Sequence, residues 1–340
     1  MLAPPAELSD ATLVAALLEN WGLTTASIEY RPVGWGSHHW MAREANGTRW
    51  FVTVDDLAPK GPGTAASNDA AFTRLRAALT TAGALPELGL CFVVAPAPTV
   101  AQESVIRLSA RFALALYRYV EGESYSWGTP QPPSRRRDLF DLIVRLHALP
   151  QGPALQANEE NYAVPQRQIL ESAFEPSVGG WDRGPFARRT QAILADNTSA
   201  IRNLLDRFDG LVTDRWDRPA PMVLTHGEPH AGNTMLTPAG LVLIDWETVL
   251  WAPPERDLWI LESDSETLRS DYAAATGRTP NPSLLDLYRI RWDLADLTAY
   301  TSRFFAPHHG SEDDDESWEQ LRALIARLRR NQAHGTSTVA

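Results

Sequence analysis

The chain has 340 residues, of which 44% are hydrophobic, so it is long enough for two packed domains or lobes. Its 42 acidic and 31 basic side chains give a net charge of −11, which argues against nucleic acid or an anionic membrane as a partner. Cys91 is the only cysteine, so an intrachain disulfide and a cysteine cluster for zinc are both excluded. With no export signal or apolar span expected, the sequence predicts a cytoplasmic protein, a monomer or a homodimer.

Residues 1–120 are predicted to form an antiparallel sheet with two helices. Ser9 or Asp10 caps a helix that runs to about Trp21, where Gly22 ends it, and a second helix is predicted over 68–82. Alternating apolar residues bounded by turn formers predict strands, which lie at 26–33, 38–45, 48–56, 92–100 and 111–120.

Helical periodicity dominates after residue 120. The turn-rich segment 121–134 separates the two kinds of pattern, so we predict an N-lobe over 1–120, a helical C-lobe over 121–330 and a flexible tail over 331–340. Helices are predicted at 134–150, 165–207, 256–276, 283–303 and 316–330, with a short strand pair within 222–247. The expected fold class is α+β.

The segment from Val223 to Trp259 contains the residues suited to catalysis. Glu228 precedes Asn233 by five positions, and Asn233 precedes Asp245 by twelve, with a tight turn and an apolar run between them. Phosphoryl transfer from a nucleotide needs metal ions on the phosphates and a group that orients the attacking hydroxyl. Carboxylate and amide oxygens are hard ligands for Mg²⁺, and Glu228 can accept or align the hydroxyl proton.

This segment resembles the hallmark of the aminoglycoside phosphotransferase family, which includes choline-kinase-like small-molecule kinases and reads His-Gly-Asp-x-x-x-x-Asn, then Ile-Asp-Trp or Ile-Asp-Phe. The matching residues are 226–233 and 244–246. The resemblance implies a protein-kinase-like two-lobed fold, transfer of phosphate from ATP or GTP with Mg²⁺ to a hydroxyl, and a role in antibiotic resistance. It assigns the catalytic-base position to Glu228, metal binding to Asn233 and Asp245, a bracing role in the catalytic loop to His226, and structural support of that loop to Asp257.

The predicted nucleotide site departs from the family pattern. Thr53 occupies the strand position at which the family carries a phosphate-binding lysine, and the partner glutamate is absent near 68–71. Glu228 also replaces an aspartate, which adds one methylene. The expected nucleotide-binding residues are those of the glycine turn and second strand, those of the strand-3 position, and those of a hinge that would bind adenine through its backbone: Gly34, Gly36, Ser37, His38, Arg43, Thr53, Tyr119 and Val120. The positive charge that the lysine would supply is expected from Arg43, His38 or His39, because Lys60 lies in a loop beyond the strand.

A small molecule is the expected acceptor, and Trp127, Trp246 and Asp264 are candidates to contact it. Acidic residues expected at the cleft or its rim suit a cationic acceptor such as an aminoglycoside, although acidic runs are also typical of solvated surface; they are Glu121, Glu123, Asp264 and the run 313–315. His230 is interpreted as a hydrogen-bonded loop histidine, with a second catalytic residue as the alternative. The missing lysine keeps one other function open, that of a catalytically silent pseudokinase that binds a small ligand.

Overall fold

A computed structural model of the protein describes residues 1–34, 36–58, 65–175, 179–217, 220–261 and 265–335. It divides into two compact units. Of the described residues, the first comprises those within 1–58, 65–160 and 221–281, and the second those within 161–220 and 282–335. Within the described residues, no helix is both long and apolar enough to cross a membrane.

The first unit contains a five-stranded antiparallel sheet. Its strands are β1 (Thr25–Arg31), β2 (Ser37–Glu44), β3 (Arg49–Asp56), β4 (Ile106–Arg107) and β5 (Phe112–Arg118). The spatial order is β1-β2-β3-β5-β4, and the register pairs Ser37 with Asp55 and His39 with Thr53. The three strands predicted before residue 57 and the strand predicted over 111–120 are therefore confirmed.

Two helices accompany this sheet, α1 (Asp10–Trp21) and α2 (Ala65–Ala84). The Ser9 side chain accepts a hydrogen bond from the Thr12 N–H, and Gly22 ends α1 in the left-handed region, as the sequence predicts. Side chains alternate along a strand, so β5 contributes to two hydrophobic clusters. Its Leu114 and Leu116 pack in the cluster that contains Leu13 and Leu17 of α1. Its Ala113 and Ala115 pack in the cluster that contains Leu75 and Leu79 of α2. Each fully buried leucine contributes about 1.5–3 kcal/mol to stability.

The prediction of a strand over 92–100 is wrong. Only Val93 makes a ladder contact, a bridge to Leu243, and the residues that follow are irregular. Pro96 and Pro98 have no N–H group, so they cannot donate to a ladder. The bridge includes a hydrogen bond from the Leu243 N–H to the Phe92 carbonyl, 2.8 Å long, and no strand continues from it.

The rest of the first unit contains helices and short strands. The helices are α3 (Pro133–His147), α7 (Glu255–Leu261) and α8 (Ser265–Thr276). The strands are β6 (Glu123–Ser124), β7 (Asn158–Glu159), β8 (Val223–Thr225), β9 (Thr234–Thr237), β10 (Gly240–Leu243) and β11 (Leu250–Ala252). They form two small sheets, ordered β10-β9-β6 and β7-β11-β8. The predicted strand pair within 222–247 is confirmed as the β9–β10 hairpin.

The second unit is helical. It contains α4 (Arg167–Ser172), α5 (Ala187–Ala195), α6 (Thr198–Asp217), α9 (Pro282–Phe305) and α10 (Glu312–Gly335). The helix α9 packs against the other four, and its Leu287, Leu294 and Leu297 are fully buried. The helical region predicted over 165–207 is three helices, and Pro185 lies in the turn before α5, where a helix cannot continue through it.

Candidate active site

The loop between β8 and β9 contains the first predicted catalytic residues. The Glu228 carbonyl accepts hydrogen bonds from the His230 N–H (2.8 Å) and from the Asn233 side-chain nitrogen (3.0 Å). The Asn233 N–H donates to the His230 carbonyl over 2.9 Å. Because these bonds commit the amide nitrogen of Asn233, its side-chain oxygen is the atom left to bind a cation.

Asp257, at the start of α7, supports this loop. Its carboxylate accepts hydrogen bonds from the backbone N–H groups of His226 (2.9 Å) and Gly227 (2.6 Å). Burial would raise the pKa of Asp257, but the His147 imidazole and the Arg256 guanidinium outweigh burial and hold the pKa below its usual value. Gly227 has φ of 100°, and the Arg256 guanidinium fills the space that a Cβ there would need. The loop therefore requires glycine at this position.

Both ring nitrogens of His226 bond to backbone groups, and the ring packs edge-on against Trp246. Its side chain is completely buried, its Nε2 lies 2.9 Å from the Ile244 carbonyl, and its Nδ1 accepts from the Glu228 N–H over 3.3 Å. Burial lowers the pKa of His226, so a neutral ring that donates from Nε2 satisfies both contacts. This geometry suits a residue that connects the loop to the end of β10.

Asp245 follows β10 and is brought next to the loop by the backbone. The Ile244 N–H donates to the Asn233 carbonyl over 3.0 Å, so the two predicted metal ligands lie on adjoining segments. Asp245 adopts φ of 66°, in the left-handed region that aspartate tolerates better than most residues. Its surface is open to solvent, yet desolvation by the surrounding protein, together with the charges of Glu228 and Asp55, raises its pKa to about 7.

Two further carboxylates, which the sequence did not single out, lie in the same place. Asp55, near the end of β3, accepts a hydrogen bond from the Ser37 hydroxyl over 2.5 Å and shares another with Glu247. Burial raises the pKa of both acids, and their mutual proximity and the Asp245 charge raise that of Glu247 further. Since strand residues two apart share a face, the position of Asp55 after Thr53 was the available signal.

This concentration of acidic groups fits a divalent cation. Asn233 and Asp245 offer hard oxygen donors, and Mg²⁺ in nucleotide sites typically takes one or two protein ligands, with phosphate oxygens and water completing its shell. In the described part of the chain, no three His, Cys, Asp or Glu side chains form a closed metal site.

Glu228 itself is partly exposed, with 35% of its side chain accessible. Desolvation would raise its pKa, but His230, followed by His226 and Arg256, holds the pKa of Glu228 below its ordinary value. An ionised carboxylate at neutral pH can accept a hydrogen bond from a substrate hydroxyl and orient it.

Of the residues predicted to bind phosphates around the glycine turn, Ser37 contacts the acidic groups and His38 does not. Gly34 and Gly36 have positive φ, and Ser37 bonds to Asp55. His38 points to the other face of the sheet, where its buried ring contacts the Tyr30 hydroxyl at 3.2 Å. The structure therefore separates His38 from the acidic groups, which is a correction to its expected place at the phosphates.

The expected replacements for lysine bring no positive charge to these acids. His39 contacts the Thr53 hydroxyl at 3.3 Å, but burial, then the N-terminal charge and His38, lower the pKa of His39 to about 4. Arg43 is exposed and lies opposite Arg49 in the β2–β3 register. It is six residues along β2 from Ser37, which is roughly 20 Å in an extended strand. Lys60 lies outside the described residues.

The segment predicted to bind adenine follows β5. The Tyr119 N–H donates to the Arg49 carbonyl over 3.2 Å, and the Arg49 guanidinium stacks 4.3 Å from the Tyr119 ring centre and pairs with Glu121. The Tyr119 N–H is thus committed, so a backbone donor to a base would have to come from Val120 or the residues after it. A Cβ at Gly122 would meet the Leu236 carbonyl at 2.8 Å, so this segment approaches β9 closely.

The three candidate acceptor residues have different surroundings. Trp127 is 53% exposed, and its indole packs edge-on against His230, with ring centres 4.4 Å apart. Trp246 is fully buried and donates from its indole nitrogen to the Leu243 carbonyl over 2.9 Å, so it belongs to the core and its expected place in a ligand pocket is wrong. Asp264 lies outside the described residues.

The braced loop thus brings a partly exposed carboxylate next to an amide, and a second carboxylate follows on the adjoining segment. A sequence profile described as the phosphotransferase enzyme family matches residues 28–288, and the chain belongs to this family. Protein StrN of Streptomyces griseus is 33% identical over 261 residues, which are 72% of this chain and 75% of that protein.

Solved structures are similar over nearly the whole chain. A spectinomycin phosphotransferase in complex with ADP and spectinomycin superposes with a TM-score of 0.71, at 15% identity, over 95% of this chain and 98% of that one. A microcompartment-associated aminopropanol kinase superposes with a TM-score of 0.60, at 12% identity, over 96% and 98%. The fold is the α+β, protein-kinase-like fold, as the sequence resemblance implies.

Proposed function

We propose that the protein transfers the γ-phosphate of a magnesium-bound nucleotide, ATP or GTP, to a hydroxyl of an aminoglycoside-like or other small metabolite or antibiotic. The observation that supports this best is the convergence of Glu228, Asn233 and Asp245, linked by the Asn233 bond to the Glu228 carbonyl and the Ile244 bond to the Asn233 carbonyl. Scaffolding alone gives no reason to place these three oxygen-bearing side chains together.

In this proposal, each residue has one task. Glu228 accepts a hydrogen bond from the acceptor hydroxyl and takes up its proton as the oxygen attacks the γ-phosphorus; the bond between that phosphorus and the β,γ-bridging oxygen breaks, and the nucleoside diphosphate leaves with the bridging oxygen. Asn233 and Asp245 would hold Mg²⁺, which neutralises charge on the phosphates when bound. His226 and Asp257 keep the loop in place, and backbone groups of Gly34, Gly36 and Ser37 and near Val120 bind the nucleotide.

The acidic cluster explains why a metal would matter here more than in a kinase with the usual lysine. None of Asp55, Asp245 and Glu247 offers positive charge to a phosphate, and the nearby His39 is neutral near pH 7. A divalent cation would supply that positive charge, so nucleotide binding in the proposed mechanism depends on it.

The acceptor is proposed to be a small molecule, and cationic acceptors suit the net charge of −11. Acidic side chains around the site also favour an amine close to the reacting hydroxyl. Aminocyclitols and short amino alcohols combine both groups and form the first set to test. We propose the cytoplasm as the setting, since the exposed Cys91 is compatible with a reducing compartment.

The test is an acceptor screen with purified protein, Mg²⁺ and either ATP or GTP, read by mass spectrometry for the added phosphate. Glu228→Gln and Asp245→Asn proteins serve as controls for contaminating kinases. The proposal is supported if the wild type transfers phosphate to an acceptor and neither variant does. If no acceptor gains phosphate and calorimetry detects no nucleotide binding at millimolar concentration with or without Mg²⁺, the protein is a ligand-binding pseudokinase instead.

A further inference from the structure

The side chain of His230 lies against the proposed catalytic carboxylate. Its Nε2 atom is 3.8 Å from Oε2 of Glu228, and its backbone N–H donates to the Glu228 carbonyl over 2.8 Å. The distance between the side chains is longer than a hydrogen bond but within the range of an electrostatic contact. His230 therefore contacts Glu228 through both its backbone and its ring.

The ring of His230 is itself held from two other sides. The Trp127 indole meets it edge-on at 85° with ring centres 4.4 Å apart. A Cβ at Gly232 would approach the ring to 3.1 Å, so the absence of a side chain there admits the imidazole. With 16% of its side chain exposed, the ring occupies a slot between Trp127 and the Gly232 backbone and has little freedom to turn.

Such a contact matters because Glu228 is longer than the aspartate of the family motif. The added methylene brings one more rotatable bond, so the carboxylate can occupy several places around a substrate hydroxyl. A displacement of about 1 Å can reduce turnover by about 100-fold, so a long catalytic side chain needs a partner that restricts it.

We propose that His230 is a positioning residue that holds the Glu228 carboxylate in one orientation, and that the Trp127–Gly232 slot sets the position of its ring. This inference rests on the proposed function of Glu228. It assigns His230 no contact with the reacting atoms: the residue acts through Glu228 and so affects turnover rather than nucleotide binding.

The first test compares His230→Ala with His230→Gln and with the control His309→Ala, which removes an exposed histidine far along the chain. We expect His230→Ala to reduce kcat by about 10- to 100-fold, with the nucleotide Kd and the thermal midpoint unchanged, because about 1 Å of misplacement has that effect. Glutamine keeps a polar N–H group of similar reach beside the carboxylate, so His230→Gln should regain part of the loss. Full activity of His230→Ala would overturn the proposal, as would a parallel loss of nucleotide binding and stability.

A double-mutant cycle tests whether His230 acts through Glu228. Once Glu228→Gln has removed the carboxylate, adding His230→Ala should reduce kcat by less than threefold if the two residues act as one unit. An equal loss in both backgrounds would show that His230 acts independently.

A structural readout separates this inference from the proposed function. Crystal structures of the wild type and of His230→Ala should show one Glu228 rotamer in the first and several in the second. A single unchanged rotamer in both would overturn the positioning role. This comparison needs no acceptor, so failure to find transfer activity would refute the proposed function alone.

Discussion

The Nε2 atom of His147 lies 3.1 Å from Oδ2 of Asp257, and both side chains are buried. Because Asp257 is ionised, the histidine donates this bond, and its Nδ1 atom lies 3.0 Å from the Tyr272 hydroxyl. His147, the last residue of α3, thus links this helix to the carboxylate that holds the loop between β8 and β9.

Asp257→Ala should unfold more easily and lose activity. The substitution leaves His147 and the backbone N–H groups of His226 and Gly227 without their acceptor in a buried place. Breaking such an arrangement costs about 3–5 kcal/mol, which urea denaturation would measure. Asp271→Ala, which removes an exposed carboxylate from the same unit, is the control. A loss no larger than that of the control would contradict the bracing role.

Asp245→Asn should abolish phosphate transfer while the protein stays folded. The substitution removes the main anionic ligand proposed for Mg²⁺ and keeps the size of the side chain. Transfer assays with saturating Mg²⁺, alongside circular dichroism, would check this. Turnover near that of the wild type would show that the metal site has been assigned to the wrong residue.

Glu228→Gln should lower kcat by roughly 100-fold or more and leave nucleotide affinity nearly unchanged. A positioned base contributes about 100- to 10,000-fold, and the amide cannot accept the hydroxyl proton. Steady-state kinetics and calorimetric titration would separate the two effects. Equal losses of binding and turnover would indicate a structural role for Glu228.

The stability of the metal-free protein should depend on pH through Asp245. Its pKa is about 7 in the folded protein against an ordinary value of 3.8. Between these values the folded protein retains a proton that the unfolded chain has lost, so stability falls as pH rises through this window. As pH rises from 4 to 7, the melting temperature of the wild type should therefore fall relative to that of Asp245→Asn. Above pH 7 the difference between the two proteins should stay constant. A constant difference across this range would exclude the raised pKa.

Thr53→Lys should increase the affinity for nucleotide without metal. The substitution adds a cation on the strand face that carries Asp55, at the position of the family lysine. One charge-assisted contact to phosphate is worth about 1.5–3 kcal/mol, or roughly tenfold or more in Kd. Thr73→Lys adds the same charge at an exposed position of α2 and is the control. Calorimetry in EDTA that finds equal affinities for both variants would show that the lysine position is not next to the phosphates.

The sequence by itself determined the family, the fold class and the three residues proposed for catalysis and metal binding. These depend on local patterns: the spacing of Glu228, Asn233 and Asp245, and the alternation that predicts β1 to β3. The segment 92–100 shows the limit of such patterns. Its apolar residues suit a strand, but Pro96 and Pro98 prevent the continuous hydrogen bonding that a strand needs.

Only the tertiary structure decided which charges meet around the site. Asp55 and Glu247 are 192 positions apart in the sequence, yet they share a hydrogen bond. Burial makes His39 neutral near pH 7, and the geometry of β2 places Arg43 far from Ser37. The charge of a side chain and its neighbours depend on solvent exposure and long-range packing, which local sequence patterns do not specify.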